Sequence, residues 1–303
     1  MALSTKIIRR RIRSIKNTKK ITKAMEMVAA AKMRKSVNAV LLSRAYSHAA
    51  WQAILNLRHR VDEGHHPLLT KRSDMKNICV VIITSNRGLC GGFNSHILLK
   101  TLKFFDKNIK NPNLKIEWIA VGKKGAEFLA KSGKNIIASF PKPETIAGTQ
   151  DVSGISKIII DGYISTQYDE IYVVYTDFVS AMLQKPRIIK LLPFEPVEDS
   201  ELGSASKDTI KEEAFGEEYL FEPSPDAVID LFLRKLINIQ LYQALLESTA
   251  SEHSSRMMAM RQATDAAGDM IDELTLIFNQ ARQAAITKEI AEIAGGKAVL
   301  ENS

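Results

Sequence analysis

The most enzyme-like stretch of the chain is a glycine-rich segment at residues 84–94, which reads Thr-Ser-Asn-Arg-Gly-Leu-Cys-Gly-Gly-Phe-Asn. It follows a short apolar run and precedes a helical pattern, and a turn in that position can present backbone N–H groups to a phosphate. It is not a P-loop, because no Gly-Lys-Ser/Thr follows, and it lacks the spaced Gly-x-Gly-x-x-Gly fingerprint. A tight structural turn is the favoured interpretation, and phosphate binding here or at residues 122–125 is the alternative.

Other residues with catalytic chemistry stand alone in the sequence. Cys90 could act as a nucleophile, but no motif pairs it with a base, and free cysteines are often simply buried. Asp161 and Asp177 have no second carboxylate or histidine at a recognisable spacing. The two cysteines, Cys79 and Cys90, follow neither a disulfide nor a metal-ligand pattern and suit a reducing compartment. The sequence therefore predicts no catalytic residue, no cofactor and no metal.

The glycine-rich segment lies in a region that alternates strand and helix patterns, which we place at residues 76–197. Residues 78–84 form a continuous apolar run rich in β-branched side chains, as in a strand buried on both faces. Further strands are predicted at 116–121, 170–176 and 187–192. Helices are predicted at 95–106 and 155–167, and a third follows a turn at 122–125 and ends at about residue 131. This alternation predicts a Rossmann-like α/β domain with a mostly parallel sheet. Residues 198–222 are acidic and are interpreted as a surface loop or linker.

The two ends of the chain have a different pattern, with apolar or small residues at alternating steps of three and four, which is typical of coiled-coil helices. We predict one helix over residues 1–62 and another over 224–303, interrupted only where Gly295 and Gly296 stop it. The central domain connects the end of the first helix to the start of the second. The second helix therefore runs back along the first, and the two must pair as an antiparallel coiled coil. The seam positions are Ile8, Ile12, Ile15, Thr18, Thr22, Met25, Ala29, Met33, Ser36 and Val40 in the first helix, and Leu236, Ile239, Gln243, Leu246, Ala250, His253, Met257, Met260, Thr264, Ala267, Ile271, Leu274, Phe278, Ala281 and Ala285 in the second.

Charge is distributed unevenly along the chain, whose net charge is +8. The first 35 residues are strongly basic and are opposed only by Glu26. A basic helix needs an anionic partner, which can be nucleic acid, a membrane surface or an acidic protein surface. No apolar run approaches the roughly 18 residues that a membrane-spanning helix needs.

Four stretches together carry a resemblance to a known family. Residues 12–35 (IRSIKNTKKITKAMEMVAAAKMRK) resemble the opening helix of the gamma subunit of F-type ATP synthases, of the bacterial type. Residues 85–94 resemble that family's glycine-rich turn, and residues 251–260 (SEHSSRMMAM) and 279–292 (NQARQAAITKEIAE) resemble its closing helix. The chain departs from the family at Asn86, where aspartate is usual, and at Lys297, where alanine is usual.

The resemblance implies a non-catalytic rotor shaft that couples proton (ion) flow across a membrane to ATP synthesis or hydrolysis. Its partners would be a ring of three alpha and three beta subunits, which holds the nucleotide sites, together with the epsilon subunit and the c-subunit ring. The chain would lie peripherally on the cytoplasmic face of the bacterial inner membrane, with no role for nucleic acid. Its basic first helix would suit the acidic loop by which the family's beta subunits grip the shaft.

Three residues match shaft positions implicated in coupling within that family, namely Met25, Arg256 and Gln283. Four more lie in the family's C-terminal signature and are candidates for the same interface: Arg282, Thr287, Glu289 and Glu292. Arginine and glutamine side chains can make directional hydrogen bonds to ring loops. Simple packing is an equally good interpretation of Met25, which lies on the seam. Two rival interpretations are a Rossmann-like nucleotide-binding enzyme whose helical ends dimerise, and a basic coiled coil that binds nucleic acid.

Overall fold

The computed structural model describes residues 5–58, 66–72, 76–108, 114–144, 146, 148–194 and 225–301. The elements, in chain order, are helix α1 (Thr5–Arg58), strand β1 (Asn77–Ile83), α2 (Phe93–Asn108), β2 (Lys115–Val121), α3 (Lys123–Lys131), β3 (Ile136–Phe140), α4 (Gln150–Ile164), β4 (Glu170–Phe178), β5 (Gln184–Leu192) and α5 (Pro225–Glu301). The predicted acidic linker at 198–222 lies outside the described residues. The chain forms two compact units, one from Met1–Ala29 with Met257–Ser303 and the other from Ala30–Arg256.

The larger unit contains a five-stranded sheet in the order β3-β2-β1-β4-β5. Strands β1 to β4 pair in parallel, and β5 pairs with β4 in the antiparallel direction. This arrangement confirms the predicted Rossmann-like α/β domain. Strand β3 was not predicted, because it is a short edge strand in which half-buried and exposed positions alternate. Helix α4 begins at Gln150, five residues before the predicted start, since the polar first turn hides its helical period.

Both faces of the sheet are covered, which explains why β1 is apolar throughout. On one face Ile78, Val80 and Ile82 pack with the residues of α2 and α3, where Phe105 makes edge-to-face contacts with Trp118 and Tyr172. On the other face Cys79, Val81 and Ile83 pack with α4 and the first part of α5. A strand with apolar side chains on both sides is the expected centre of a doubly covered parallel sheet.

The predicted antiparallel pairing of the terminal helices is confirmed within each unit. In the smaller unit the Thr264 hydroxyl donates to the Thr22 hydroxyl at 2.8 Å, and Lys19 lies beside Gly268. A position later in α1 therefore contacts a position earlier in α5, as in any antiparallel pair of helices. In the larger unit Val40 of α1 packs with Leu246 and Ala250 of α5.

The predicted seam is the buried side of both helices. Among its α1 positions only Thr18 is exposed, and among its α5 positions only Ala285. The prediction that Gly295 and Gly296 stop the second helix is wrong, because α5 continues to Glu301. Glycine inside a helix costs only about 1 kcal/mol relative to alanine, so a glycine pair weakens a long helix without ending it. No helix among the described residues is long and apolar enough to cross a membrane.

A buried charge cluster joins α1, α5 and the sheet in the larger unit. Arg44 of α1 donates through Nε and Nη2 to the two carboxylate oxygens of Glu247, at 2.9 and 3.0 Å, and through Nη2 to the Phe178 carbonyl at 3.0 Å. The Phe178 N–H donates to Glu247 Oε2 at 2.9 Å, and Gln243 Nε2 donates to Oε1 at 2.7 Å. Asp177 Oδ2 lies 2.9 Å from the Nε of Arg187.

The two carboxyl groups of this cluster differ in their affinity for a proton. Burial and then the neighbouring Glu247 raise the pKa of Asp177 to about 6. Burial opposes the ionisation of Glu247, but hydrogen bonds from Arg44, Asp177 and the Phe178 backbone outweigh it and lower the pKa of Glu247. Glu247 is therefore the ionised member of the pair, and Asp177 holds the shared proton near pH 6.

The raised pKa of Asp177 predicts the pH dependence of an Asp177→Asn variant. A carboxyl whose pKa is higher in the folded chain stabilises the fold fully below its unfolded value of 3.8, and this contribution is lost as the pH rises through about 6. The asparagine variant lacks this loss, so its free energy of unfolding should gain roughly 1–2 kcal/mol relative to the parent between about pH 4 and pH 7. Urea unfolding at a series of pH values measures the difference. Exposed Asp161→Asn is the control, and an equal trend in both variants would contradict the assignment.

The seam also predicts that Gly268→Ala stabilises the helix pair. A Cβ added at Gly268 would meet the mobile Lys19 ammonium at 2.9 Å, which can move aside. Alanine in a helix interior should then raise the free energy of unfolding by about 0.5–1 kcal/mol. Gly133 has φ of 66° with nothing near its Cβ direction, so Gly133→Ala should instead destabilise by roughly 1 kcal/mol. Thermal unfolding followed by circular dichroism compares the two, and a loss of stability in Gly268→Ala would refute the packing described.

Candidate functional site

The carboxyl edge of the sheet is built around Thr84, the residue that follows β1. Its hydroxyl accepts a hydrogen bond from the Gly125 N–H at 2.9 Å and lies 3.1 Å from the Val121 carbonyl, to which it donates. Gly122 has φ of 100°, and a Cβ there would collide with the Thr84 backbone. The glycines at residues 122–125 therefore allow β2 and α3 to approach β1 closely, which is a structural role.

The glycine-rich turn at residues 85–94 hydrogen-bonds to itself. Asn94 accepts from the Ser85 N–H at 3.1 Å and donates to the Ser85 hydroxyl at 2.7 Å. Ser85 donates in turn to the Arg87 carbonyl at 2.7 Å. Cys90 is buried, with Asn94 Nδ2 3.3 Å from its sulfur. The turn uses its polar groups to hold its own shape, which favours the structural interpretation over phosphate binding.

Helix α5 occupies the crevice in which open α/β sheets bind ligands. That crevice lies at the carboxyl ends of the strands where the strand order reverses, here between β1 and β4. Ser251 donates to the Thr176 carbonyl at the end of β4 at 3.1 Å, and Ser255 donates to the Cys90 carbonyl in the turn after β1 at 2.7 Å. The small side chains of α5 let the helix fill the place of a nucleotide.

A second charge cluster fixes this part of α5. Glu252 accepts from Lys142 at 2.6 Å and from Arg256 Nη1 at 2.8 Å, and the Lys142 side chain is 3% exposed. Burial alone would raise the pKa of Glu252, but the Lys142 and Arg256 charges outweigh it and lower the pKa. Burial lowers the pKa of the adjacent His253 to about 4, so this histidine is neutral at pH 7.

The structure places the predicted coupling residues in different surroundings. Arg256 is largely buried in the cluster of the larger unit. Met25 is half-buried on the seam of the smaller unit. The other five are exposed on one stretch of α5 in that unit: Arg282, Gln283, Thr287, Glu289 and Glu292. Glu292 makes an exposed ion pair with Lys288 at 3.6 Å.

Sequence reasoning missed the charged residues that hold α5 against the sheet, namely Glu247, Glu252, Lys142 and Arg44. The available signal was two glutamates inside a stretch of α5 that otherwise consists of small and apolar residues. Asn86 stands where the family usually has aspartate, and no role for its amide was predicted from the sequence. Asn86 instead donates to the Lys142 carbonyl at 2.7 Å and accepts from the Lys142 N–H at 3.1 Å, and a carboxylate could make only the second bond.

Two surfaces of the smaller unit are built for contact. One is a groove of about 930 Å³ whose lining includes the apolar side chains of Ala24, Met27 and Ile271. Basic side chains line the same groove: Arg13, Lys16, Lys19, Lys20 and Lys23. The other is a row of exposed isoleucines at Ile286, Ile290 and Ile293 near the end of α5. Exposed apolar rows and a concentration of like charge both indicate surfaces that meet other molecules.

Among the described residues, no group of three or more His, Cys, Asp or Glu side chains is arranged to hold a metal ion. The charged clusters pair acids with bases inside the fold.

Comparison with known proteins gives a match along nearly the whole chain. The sequence profile of the ATP synthase family matches residues 4–300. The ATP synthase gamma chain of Pelotomaculum thermopropionicum is 43% identical over 300 residues, covering 98% of this chain and 99% of that protein. The ATP synthase gamma chain of Heliobacterium modesticaldum is 43% identical over 298 residues, covering 97% and 98%.

A solved structure has the same fold. A chain of the Euglena gracilis mitochondrial ATP synthase, determined by cryo-electron microscopy, superposes with a TM-score of 0.65 at 21% identity, covering 98% of this chain and 94% of that chain. The family match, the level of identity and the end-to-end coverage agree with the resemblance in the sequence. This chain belongs to the ATP synthase gamma chain family.

Proposed function

We propose that this chain is the central rotor shaft of a bacterial F-type ATP synthase and that it couples ion flow across the membrane to ATP synthesis or hydrolysis. The observation that carries the proposal is the match over residues 4–300 by a chain whose two ends form an antiparallel helix pair. Rotation of an asymmetric shaft would force the nucleotide sites of the beta subunits through different affinities. The chemistry belongs to those subunits, and this chain has no active site of its own.

The surfaces of the smaller unit suit a ring of alpha and beta subunits. The basic side chains that line the groove would attract an acidic loop of a beta subunit through charge complementarity. The row of Ile286, Ile290 and Ile293 would turn inside an apolar sleeve, where side chains without directional bonds meet little resistance. The exposed residues from Arg282 to Glu292 lie on the same stretch of helix and provide hydrogen-bonding groups for coupling.

The α/β domain would meet the epsilon subunit and the c-subunit ring. Through these partners the chain would be held at the cytoplasmic face of the inner membrane. Neither rival interpretation gains support. The crevice that a nucleotide-binding enzyme would need is filled by α5. The basic residues of α1 line a groove together with apolar side chains, which suits a protein segment better than nucleic acid.

Affinity purification of the tagged chain from its native membrane tests the proposal. We expect the alpha and beta subunits to be recovered with it in stoichiometric amounts, together with ATP hydrolysis that depends on the complex. Recovery of the chain without these subunits would reject the shaft function.

The position of Gln283 predicts a coupling defect in a Gln283→Leu variant. Its side chain is exposed on α5, so the substitution leaves the helix pair intact and removes a hydrogen-bonding group that faces outward. Loss of one such bond in a dry interface should lower ATP synthesis about tenfold while the complex still assembles. Synthesis per assembled complex in membrane vesicles measures the effect.

Gln280→Leu is the matched control, because Gln280 is exposed three residues earlier on the same helix. The control should synthesise ATP at nearly the parental rate. Normal synthesis by Gln283→Leu, or an equal loss in both variants, would contradict a coupling role for Gln283.

A further inference from the structure

Arg256 is held inside the larger unit by three oxygen acceptors and by a contact with His253, whose Nδ1 lies 3.4 Å from Nη1. Its Nη1 donates to Glu252 at 2.8 Å, and its Nη2 lies 3.3 Å from the carbonyl oxygens of both Arg87 and Gly88. The side chain is 13% exposed. A planar guanidinium offers its donors in a rigid fork, so a carboxylate on one side and two carbonyls on the other fix its orientation.

We propose that Arg256 is a positioning residue, which acts through the glycine-rich turn rather than by touching a partner subunit itself. Held by Glu252, it fixes the backbone at Arg87 and Gly88 and thereby the direction in which the Arg87 side chain leaves the surface. This inference rests on the proposed shaft function for its consequence in coupling, but its structural part concerns this chain alone.

The buried half of the cluster gives the turn a second attachment. Glu252 also binds Lys142 at 2.6 Å, and the Lys142 backbone exchanges two hydrogen bonds with Asn86 of the turn. The one carboxylate thus holds the turn from two directions, through Arg256 and through Lys142. Removing one partner of a buried charge pair leaves the other charge uncompensated, so the turn depends strongly on Glu252.

The outer end of the arrangement is free to meet a partner. The Arg87 side chain is 82% exposed and pairs with Glu144, itself 61% exposed, at 2.8 Å. Exposed ion pairs contribute little stability, so a carboxylate of another subunit can replace Glu144 at small cost. Buried residues of the cluster therefore hold the turn rigidly, and the turn directs one arginine side chain, that of Arg87, toward a partner subunit.

A double-mutant cycle in the assembled complex tests the proposal. If Arg256 acts through the turn, Arg256→Gln should lower ATP synthesis per complex about tenfold in the parent, and Arg87→Gln should lower it comparably. In the Arg87→Gln background the added Arg256→Gln should then change synthesis by less than about twofold, because the group that it positions is gone. Arg261→Gln, an exposed arginine five residues further along α5, is the control and should leave synthesis unchanged.

Additive losses in the double variant would overturn the proposal, since a direct contact or a general loss of structure would act whether or not Arg87 is present. Absence of an effect from Arg256→Gln or from Arg87→Gln alone would overturn it as well. A parental preparation that lacks the alpha and beta subunits would instead reject the shaft function.

Hydrogen exchange on the full chain tests the positioning step separately and guards against poor assembly of a variant. The Arg256→Lys variant keeps a positive charge but cannot span Glu252 and both carbonyls. Amides in the peptide covering residues 85–94 should exchange about tenfold faster in this variant and in Glu252→Gln, while peptides of β1 stay unchanged. Unchanged exchange in the turn would refute the positioning step even if the chain proves to be a shaft.

Discussion

The structure depends on two buried carboxylates of helix α5, each of which needs a positively charged partner from another part of the fold. Glu247 and Glu252 are five residues apart along the helix, and neither can remain ionised inside a fold without cationic partners. Glu247 takes its partner from α1 and the edge of the sheet, through Arg44 and the Phe178 backbone. Glu252 takes its partner from the loop after β3, through Lys142. Each carboxylate therefore fixes α5 to a different part of the larger unit, and hydrophobic packing alone would not specify that position so narrowly.

This attachment explains how a Rossmann-like sheet can serve a protein without an active site. The sheet has the parallel order and the glycine-rich turn after β1 that accompany nucleotide binding in other proteins. Its crevice is occupied by Ser251 and Ser255 of α5, which bond to the ends of the strands in place of a ligand. The domain is thereby joined firmly to one of the two shaft helices, as a part that has to transmit torque must be.

The sequence predicted the elements whose signals are periodic and long. The three-four spacing in both end segments identified the helix pair and all but two of the seam positions, because packing in a coiled coil repeats the same local geometry many times. It did not reveal β3, a short edge strand, or the end of α5, where glycine is tolerated. Nor did it reveal the clusters around Glu247 and Glu252, since their partners Arg44 and Lys142 are distant in the sequence and only the tertiary fold brings them together. Arg256 illustrates the same limit: its type and family position indicated a coupling residue, while only the structure shows its bonds to the turn. The polar seam residues Thr22 and Thr264 bond to each other, so their polarity has a use within the helix pair.

The proposed function requires this chain to turn as a shaft inside the ring of alpha and beta subunits. Single-molecule observation tests it most directly, with the ring fixed to a surface and a probe attached to a cysteine introduced at Lys103, which is exposed on α2 of the α/β domain. The account predicts that ATP hydrolysis drives the probe around in one direction, in steps that keep pace with turnover. Continued hydrolysis by the assembled complex with a stationary probe would contradict it.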